Sequence, residues 1–210
     1  MPFITAGDPS IETTEAVLRN LSDAGADLGK RIINDVTMPR VTMVSYSIIH
    51  RVGTEAYVKK AIEAGYSGAI VPDLLVEEAE AFSKICKEAD FNLIQLVTPT
   101  TPKERQVRIA NSSSGFLYYV SVTGITGERA KLPPDLQESV QWLRGQTDLP
   151  ICIGFGISGP ETAATLAPVA DGLIVGSAIV RRIAESTGTE DAVKKVSEFV
   201  GELRTAIDAA

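Results

Sequence analysis

The chain has 210 residues, 44% of them apolar and 22% charged, which suffices to bury one large core, argues against disorder and leads us to expect a single domain spanning 1–210. Its formal net charge of −7 disfavours nucleic acid as a partner but not a phosphorylated metabolite, which a helix N-terminus binds through local dipoles and not through bulk charge. No run of about eighteen apolar residues and no basic leader before an apolar stretch is found, so neither a membrane span nor a signal peptide is expected, and Cys86 and Cys152 read as buried thiols of a reducing cytoplasm.

In chain order, the pattern predicts a short first strand over 2–5, broken by Ala6-Gly7-Asp8-Pro9 and followed by a helix over 11–24 that ends at Gly25. Ala26-Asp27-Leu28 starts a second strand and is cut short. A third strand is expected over 40–46 with a helix over 54–64, and a fourth over 68–71 with a helix over 77–89. A fifth strand follows over 92–97, then a helix ending at Asn111. The sixth strand, 116–120, leads into a glycine-rich loop and a helix over 134–145. Strands seven and eight, 150–153 and 172–175, are each followed by a glycine turn and a helical pattern, and a long helix over 190–207 closes the chain. The strands are apolar on both faces, as in a parallel sheet covered on both sides. Eight strands alternating with helices predict an α/β fold of the (β/α)8 TIM-barrel class, with a doubly wound sheet as the distant alternative.

Two turns organise the functional reading. Gly154-Phe155-Gly156-Ile157-Ser158 and Gly176-Ser177-Ala178 follow the last two strands. Turns after strands seven and eight of such a barrel, at helix N-termini, present backbone N–H groups suited to a phosphate dianion. The competing reading is that the glycines only permit tight turns. The two turns together, at the end of a series of repeated strand–helix units, favour phosphate.

One joint is too short. Eleven residues, Gly29 to Pro39, separate Leu28 from Arg40, whereas a parallel crossover needs about a dozen or more with its helix. A deletion after the second strand is therefore expected.

The stretches Pro2-Phe3-Ile4-Thr5-Ala6-Gly7-Asp8-Pro9, Ile70-Val71-Pro72-Asp73-Leu74, the run from Phe116 through Thr123-Gly124-Ile125-Thr126-Gly127, Gly154-Phe155-Gly156-Ile157-Ser158 and Val175-Gly176-Ser177-Ala178-Ile179-Val180 together resemble the tryptophan synthase alpha chain family. The resemblance implies a lyase of tryptophan biosynthesis that splits indole-3-glycerol phosphate into indole and glyceraldehyde 3-phosphate by a retro-aldol step. It implies no metal and no cofactor in this chain, cytoplasmic location (a plastid in a plant), and a partner beta chain that uses pyridoxal phosphate, in an alpha2-beta2 assembly. Carried over by position, Phe3 and Thr5 line the indole end of the pocket. Tyr118 sits near the reacting glycerol as the one tentative catalytic side chain, and Thr126 and Gly127 belong to the lid loop. Gly127, Phe155, Gly156, Gly176 and Ser177 hold the phosphate, mainly through backbone N–H groups. Set against these roles, Phe3 reads equally as core, Tyr118 as an aromatic filling the barrel, and Asp73 as a turn residue in a loop that in the family faces the beta chain.

The departures from the family bear on activity. The family's catalytic Glu at the end of strand two and catalytic Asp in the following loop have no counterpart where Ala26-Asp27-Leu28 runs into Gly29-Lys30, and the helix before strand one is missing too. That is the joint already marked as too short. His50, the only histidine, reads as a surface loop residue. The alternative function is a non-catalytic phosphate-binding barrel that serves as a binding or regulatory partner of a beta chain. A different phosphate-binding barrel enzyme ranks last, since the chain offers few Lys or acidic residues at strand ends.

Overall fold

The computed structural model describes residues 1–26, 38–121, 135–154 and 156–210. Seven short strands, β1 (Val41–Met43), β2 (Gly68–Ile70), β3 (Asn92–Ile94), β4 (Leu96–Val97), β5 (Leu117–Val120), β6 (Ile151–Gly154) and β7 (Gly172–Ile174), all pair in parallel. They run in the orders β1-β2-β3 and β4-β5-β6-β7. β3 and β4 are the two halves of the expected fifth strand, and the Tyr118 N–H bonding to the Gln95 carbonyl ties them into one sheet. The N-terminal segment adds an eighth line of pairing: Pro2 bridges Val175, and the Phe3 N–H donates to the Val175 carbonyl at 2.8 Å. The expected second strand falls almost wholly within residues 27–37, outside the described residues. Its place is marked all the same, because the first segment and β1 are the two ends of the described arc.

Side chains alternate along these strands as the two-residue period requires. Ile70, Ile94, Tyr118, Cys152 and Ile174 point inward and form one buried cluster with Met43, Leu96 and Val120. Leu117, Tyr119, Ile151, Ile153, Leu173 and Val175 point outward under the helices, as do Ala69, Val71 and Leu93 on the other side. Three apolar layers, one inside the ring and two beneath its helical coat, are the packing of a barrel and not of an open doubly wound sheet.

The helices are α1 (Ile11–Asp23), α2 (Tyr46–Val52), α3 (Thr54–Glu63), α4 (Glu80–Glu88), α5 (Lys103–Ser112), α6 (Leu136–Arg144), α7 (Pro160–Leu166), α8 (Ser177–Ala184) and α9 (Thr189–Asp208). α1 starts where the Ser10 hydroxyl accepts from the Thr13 N–H, an N-cap that satisfies one of the opening donors. It buries Val17, Leu18 and Leu21 against α9, which also covers α7 and α8.

Two expectations are corrected here. The third strand stops at Met43 instead of reaching Tyr46, because Tyr46 opens α2: the Ser45 hydroxyl caps it, accepting from the Ser47 N–H. His50 consequently lies on that helix, exposed, and not in a loop.

Candidate functional site

The strands of a barrel carry their chemistry at their C-terminal ends, and the sequence-derived positions collect there. β7 ends at Ile174; Val175 follows, and Gly176 is the N-cap of α8. α8 is eight residues long and precedes α9, the 20-residue helix that covers the barrel wall. It is thus a short extra helix after the last strand, the feature on which barrels often build a phosphate site. The Ile179 and Val180 N–H groups donate to the Gly176 carbonyl at 2.8 and 3.0 Å. The Ser177 and Ala178 N–H groups, the first two of the helix, point out of its end. Among the described residues no side chain caps this end, and its first turn holds no acidic residue, so the positive end of the helix dipole faces outward.

Phe3 stands beside this turn. A Cβ built on Gly176 would lie 3.4 Å from Phe3 Cδ1, and Ile4 next to it turns into the outer layer. Thr5 is exposed in the loop that follows, where its carbonyl accepts from the Asp8 N–H and the Gly7 N–H donates to the Thr14 hydroxyl at 3.0 Å. Ser177 is exposed at the start of α8.

Gly156 is buried with φ of +79°, a conformation that favours glycine. One detail corrects the sequence reading: α7 does not begin until Pro160, so Gly156 belongs to a loop, and only the Gly176 turn sits at a helix N-terminus. Thr126, Gly127 and Phe155 lie outside the described residues.

Tyr118 points into the barrel, pairs in register with Cys152, and leans along the sheet over Gly154. A Cβ on Gly154 would lie 2.3 Å from Tyr118 Cε2 and 2.4 Å from its hydroxyl oxygen. The phenol therefore occupies the space that Gly154 leaves empty at the end of β6. Burial raises its pKa above the ordinary phenol range, so the hydroxyl is a neutral hydrogen-bond donor or acceptor and not a base at physiological pH. Ser121 secures the strand end: its N–H and its hydroxyl both donate to the Gly154 carbonyl at 3.0 Å.

Asp73 has a structural occupation that the sequence did not disclose. Its carboxylate accepts from the Ser45 hydroxyl at 2.5 Å and the Tyr46 N–H at 2.7 Å, joining the loop after β2 to the start of α2. The Ser45 hydrogen bond, with the Tyr46 N–H adding to it against a small desolvation, holds its pKa below the usual carboxylate range. The roles of Gly154 and Ser121 were likewise unseen. The sequence signal available for them is the glycine that closes one strand and the serine that follows the aromatic pair of its neighbour.

A cavity of about 590 Å³ opens at the other end of the strands, lined by Gly115, Phe116, Pro150, Gly172, Leu203 and Ile207 among others. These residues precede the strands, at the face that serves stability in barrels of this kind, and the cavity takes no part in the site.

A family profile described as "Tryptophan synthase alpha chain" matches residues 28–208. A protein of that description from Rhodopirellula baltica is 56% identical over 259 residues, an alignment taking in 100% of this chain and 93% of the relative. One from Geotalea daltonii is 36% identical over 244 residues, covering 99% of this chain and 92% of its own length. Among solved structures, tryptophan synthase subunit alpha from Legionella pneumophila superposes with a TM-score of 0.86 at 29% identity, covering 100% of this chain and 92% of that one. A chain of the tryptophan synthase complex from Pyrococcus furiosus superposes with a TM-score of 0.85 at 27% identity, covering 97% and 96%.

Proposed function

The chain belongs to the tryptophan synthase alpha chain family, a family of lyases with the TIM-barrel fold, and on that premise we propose that its site takes indole-3-glycerol phosphate, the substrate of the retro-aldol cleavage to indole and glyceraldehyde 3-phosphate. The observation that carries the reading is the extra helix α8, whose uncapped N-terminus stands at the end of β7 beside Phe3. The phosphate is held by the Ser177 and Ala178 N–H groups and the Ser177 hydroxyl, with Gly176 giving close approach. Gly156, Phe155 and Gly127 complete its cradle. Tyr118, with its phenol at the end of β6, lies on the side of the barrel from which the glycerol hydroxyls are reached. The indole ring rests toward Phe3 and Thr5.

Cleavage asks for an acid that protonates the indole carbon at the breaking bond, a base that takes the glycerol hydroxyl proton, and a carboxylate that holds the indole N–H as charge develops. In the family a Glu and an Asp between the second and third strands fill these roles. The interval from Ala26 to Arg40 is too short to hold that stretch, and the Rhodopirellula alignment spans more residues than the 210 of this chain, which supports its having no counterpart here. Among the described residues the carboxylate after β2, Asp73, is engaged in capping α2. Neutral Tyr118 serves as a hydrogen-bond donor and does not replace a base. The substrate is bound, therefore, while cleavage is slowed by on the order of 10²–10⁴-fold for the loss of a positioned acid or base. The partner is a beta chain in an alpha2-beta2 assembly.

The second reading, a non-catalytic phosphate-binding barrel that acts on a beta chain as a binding or regulatory partner, is favoured by the same short interval. The two are separated by measuring indole release from indole-3-glycerol phosphate by the 210-residue protein. Slow, saturable release abolished by Gly176→Val supports the lyase. Binding without any release supports the non-catalytic partner.

A further inference from the structure

The side chain of Arg182 folds back along α8. It springs from the second half of the helix, yet its Nη1 donates to the Ala178 carbonyl at 2.8 Å, so the guanidinium lies against the first turn. There its Cζ stands 3.4 Å from the centroid of the Phe199 ring, at van der Waals stacking distance. Phe199 belongs to α9, is 2% exposed and is set in the main core cluster. The other contacts across this joint act farther down: the Lys195 ammonium donates to the Glu185 carbonyl at 3.1 Å, and the Thr187 N–H donates to Asp191 at 2.9 Å. Arg182 is thus the link between the opening turn of α8 and the body of the barrel.

Its charge is placed against the usual preference. Basic side chains favour the C-terminal turn of a helix, where the dipole is negative, and the neighbouring Arg181 does pair in that direction with Glu185. Arg182 instead brings its cation toward the positive end, where the Ser177 and Ala178 N–H groups already point outward. The two contributions add, and their sum is lowest in energy with an anion at the helix end.

We infer that Arg182 is a positioning residue for the phosphate of the ligand: stacked on Phe199, it fixes the direction of the first turn of α8 and adds a positive charge behind it. This rests on the phosphate reading given above, and the test separates the two. Inorganic phosphate is titrated calorimetrically into the unsubstituted protein, Arg182→Lys, Arg182→Met and Phe199→Leu, with sulfate as a second anion and far-ultraviolet dichroism to follow helix content. The unsubstituted protein binds phosphate. Arg182→Met weakens binding by about three- to tenfold, the range of one partly desolvated cation–π contact, at unchanged helix content. Arg182→Lys, which keeps the charge and loses the planar stack, recovers part of that loss. Phe199→Leu weakens phosphate in the same direction although it carries no charge. Equal affinity in the unsubstituted protein and Arg182→Met overturns the inference and leaves the phosphate site standing. Failure of the unsubstituted protein to bind phosphate or sulfate overturns the phosphate reading, and this inference with it, before any substitution is considered.

Discussion

Replacing Gly154 by alanine tests the architecture of the site at its tightest point. The added methyl would sit 2.3 Å from Tyr118 Cε2, 2.4 Å from the hydroxyl oxygen and 2.7 Å from Cζ, where carbon atoms in contact normally stand about 3.5–4.0 Å apart. The ring has to retreat by more than 1 Å, and it is 5% exposed among Ile94, Cys152 and Ile174. Overpacking of this kind costs about 1–3 kcal/mol. For a chain of this length each kcal/mol lowers Tm by roughly 2–4 °C, so Gly154→Ala should melt roughly 2–12 °C below the unsubstituted protein. Near-ultraviolet dichroism, which reports the tyrosines, is the appropriate probe. Tyr118→Val removes the clashing atoms, so the double variant should be more stable than the sum of the single effects by about 1 kcal/mol or more. An unchanged Tm in Gly154→Ala, or strict additivity with Tyr118→Val, would refute the placement of the phenol.

Three further outcomes are expected. Asp73→Asn removes the anion that caps α2 and should cost below about 1 kcal/mol, since the carboxylate is exposed and screened. Because its folded pKa is lowered, its contribution is present above the unfolded value of about 3.9 and fades as pH falls through the folded value. The Tm gap between Asp73→Asn and the unsubstituted protein should therefore be constant from about pH 5 to 8 and close in more acidic solution. Burial raises the pKa values of Tyr57, Tyr118 and Tyr119. In absorbance titration at about pH 10 these three of the five tyrosines should lag the remaining two, and stability should fall as pH rises above the unfolded phenol value of about 10; five tyrosines titrating together in the folded protein would contradict this. Burial likewise pushes the Cys86 and Cys152 thiols to about 12, so a thiol reagent at about pH 8 should label neither in the folded chain and both after unfolding.

The sequence disclosed the strands through their apolar runs and the joints through their glycines: 68–71, 116–120 and 172–175 were expected, and β2, β5 and β7 lie within those spans. It misjudged what depends on distant residues. The end of the third strand is set by Asp73, which accepts from Ser45 and Tyr46 across 28 and 27 positions of chain, and no local pattern announces such a cap. Gly154 read as a turn glycine. Its closer constraint, the Tyr118 ring, follows only from the register that places Tyr118 opposite Cys152. Both glycine turns were expected to open helices. The residues from Ile157 to Gly159 keep Gly156 away from α7, whereas Gly176 directly caps α8. Phe3 and Gly176 were both chosen from sequence, and their contact at the end of β7 came from the pairing of the N-terminal segment with Val175.

The central claim is that the N-terminus of α8 receives the phosphate of indole-3-glycerol phosphate. Titrating that compound into the 210-residue protein while following the backbone amide resonances of Ser177 and Ala178 tests it directly. The account predicts saturable shifts of both amides, reproduced by glycerol 3-phosphate and not by dephosphorylated indoleglycerol. Amides that stay unmoved at saturating substrate, or that respond equally to the dephosphorylated compound, would contradict it.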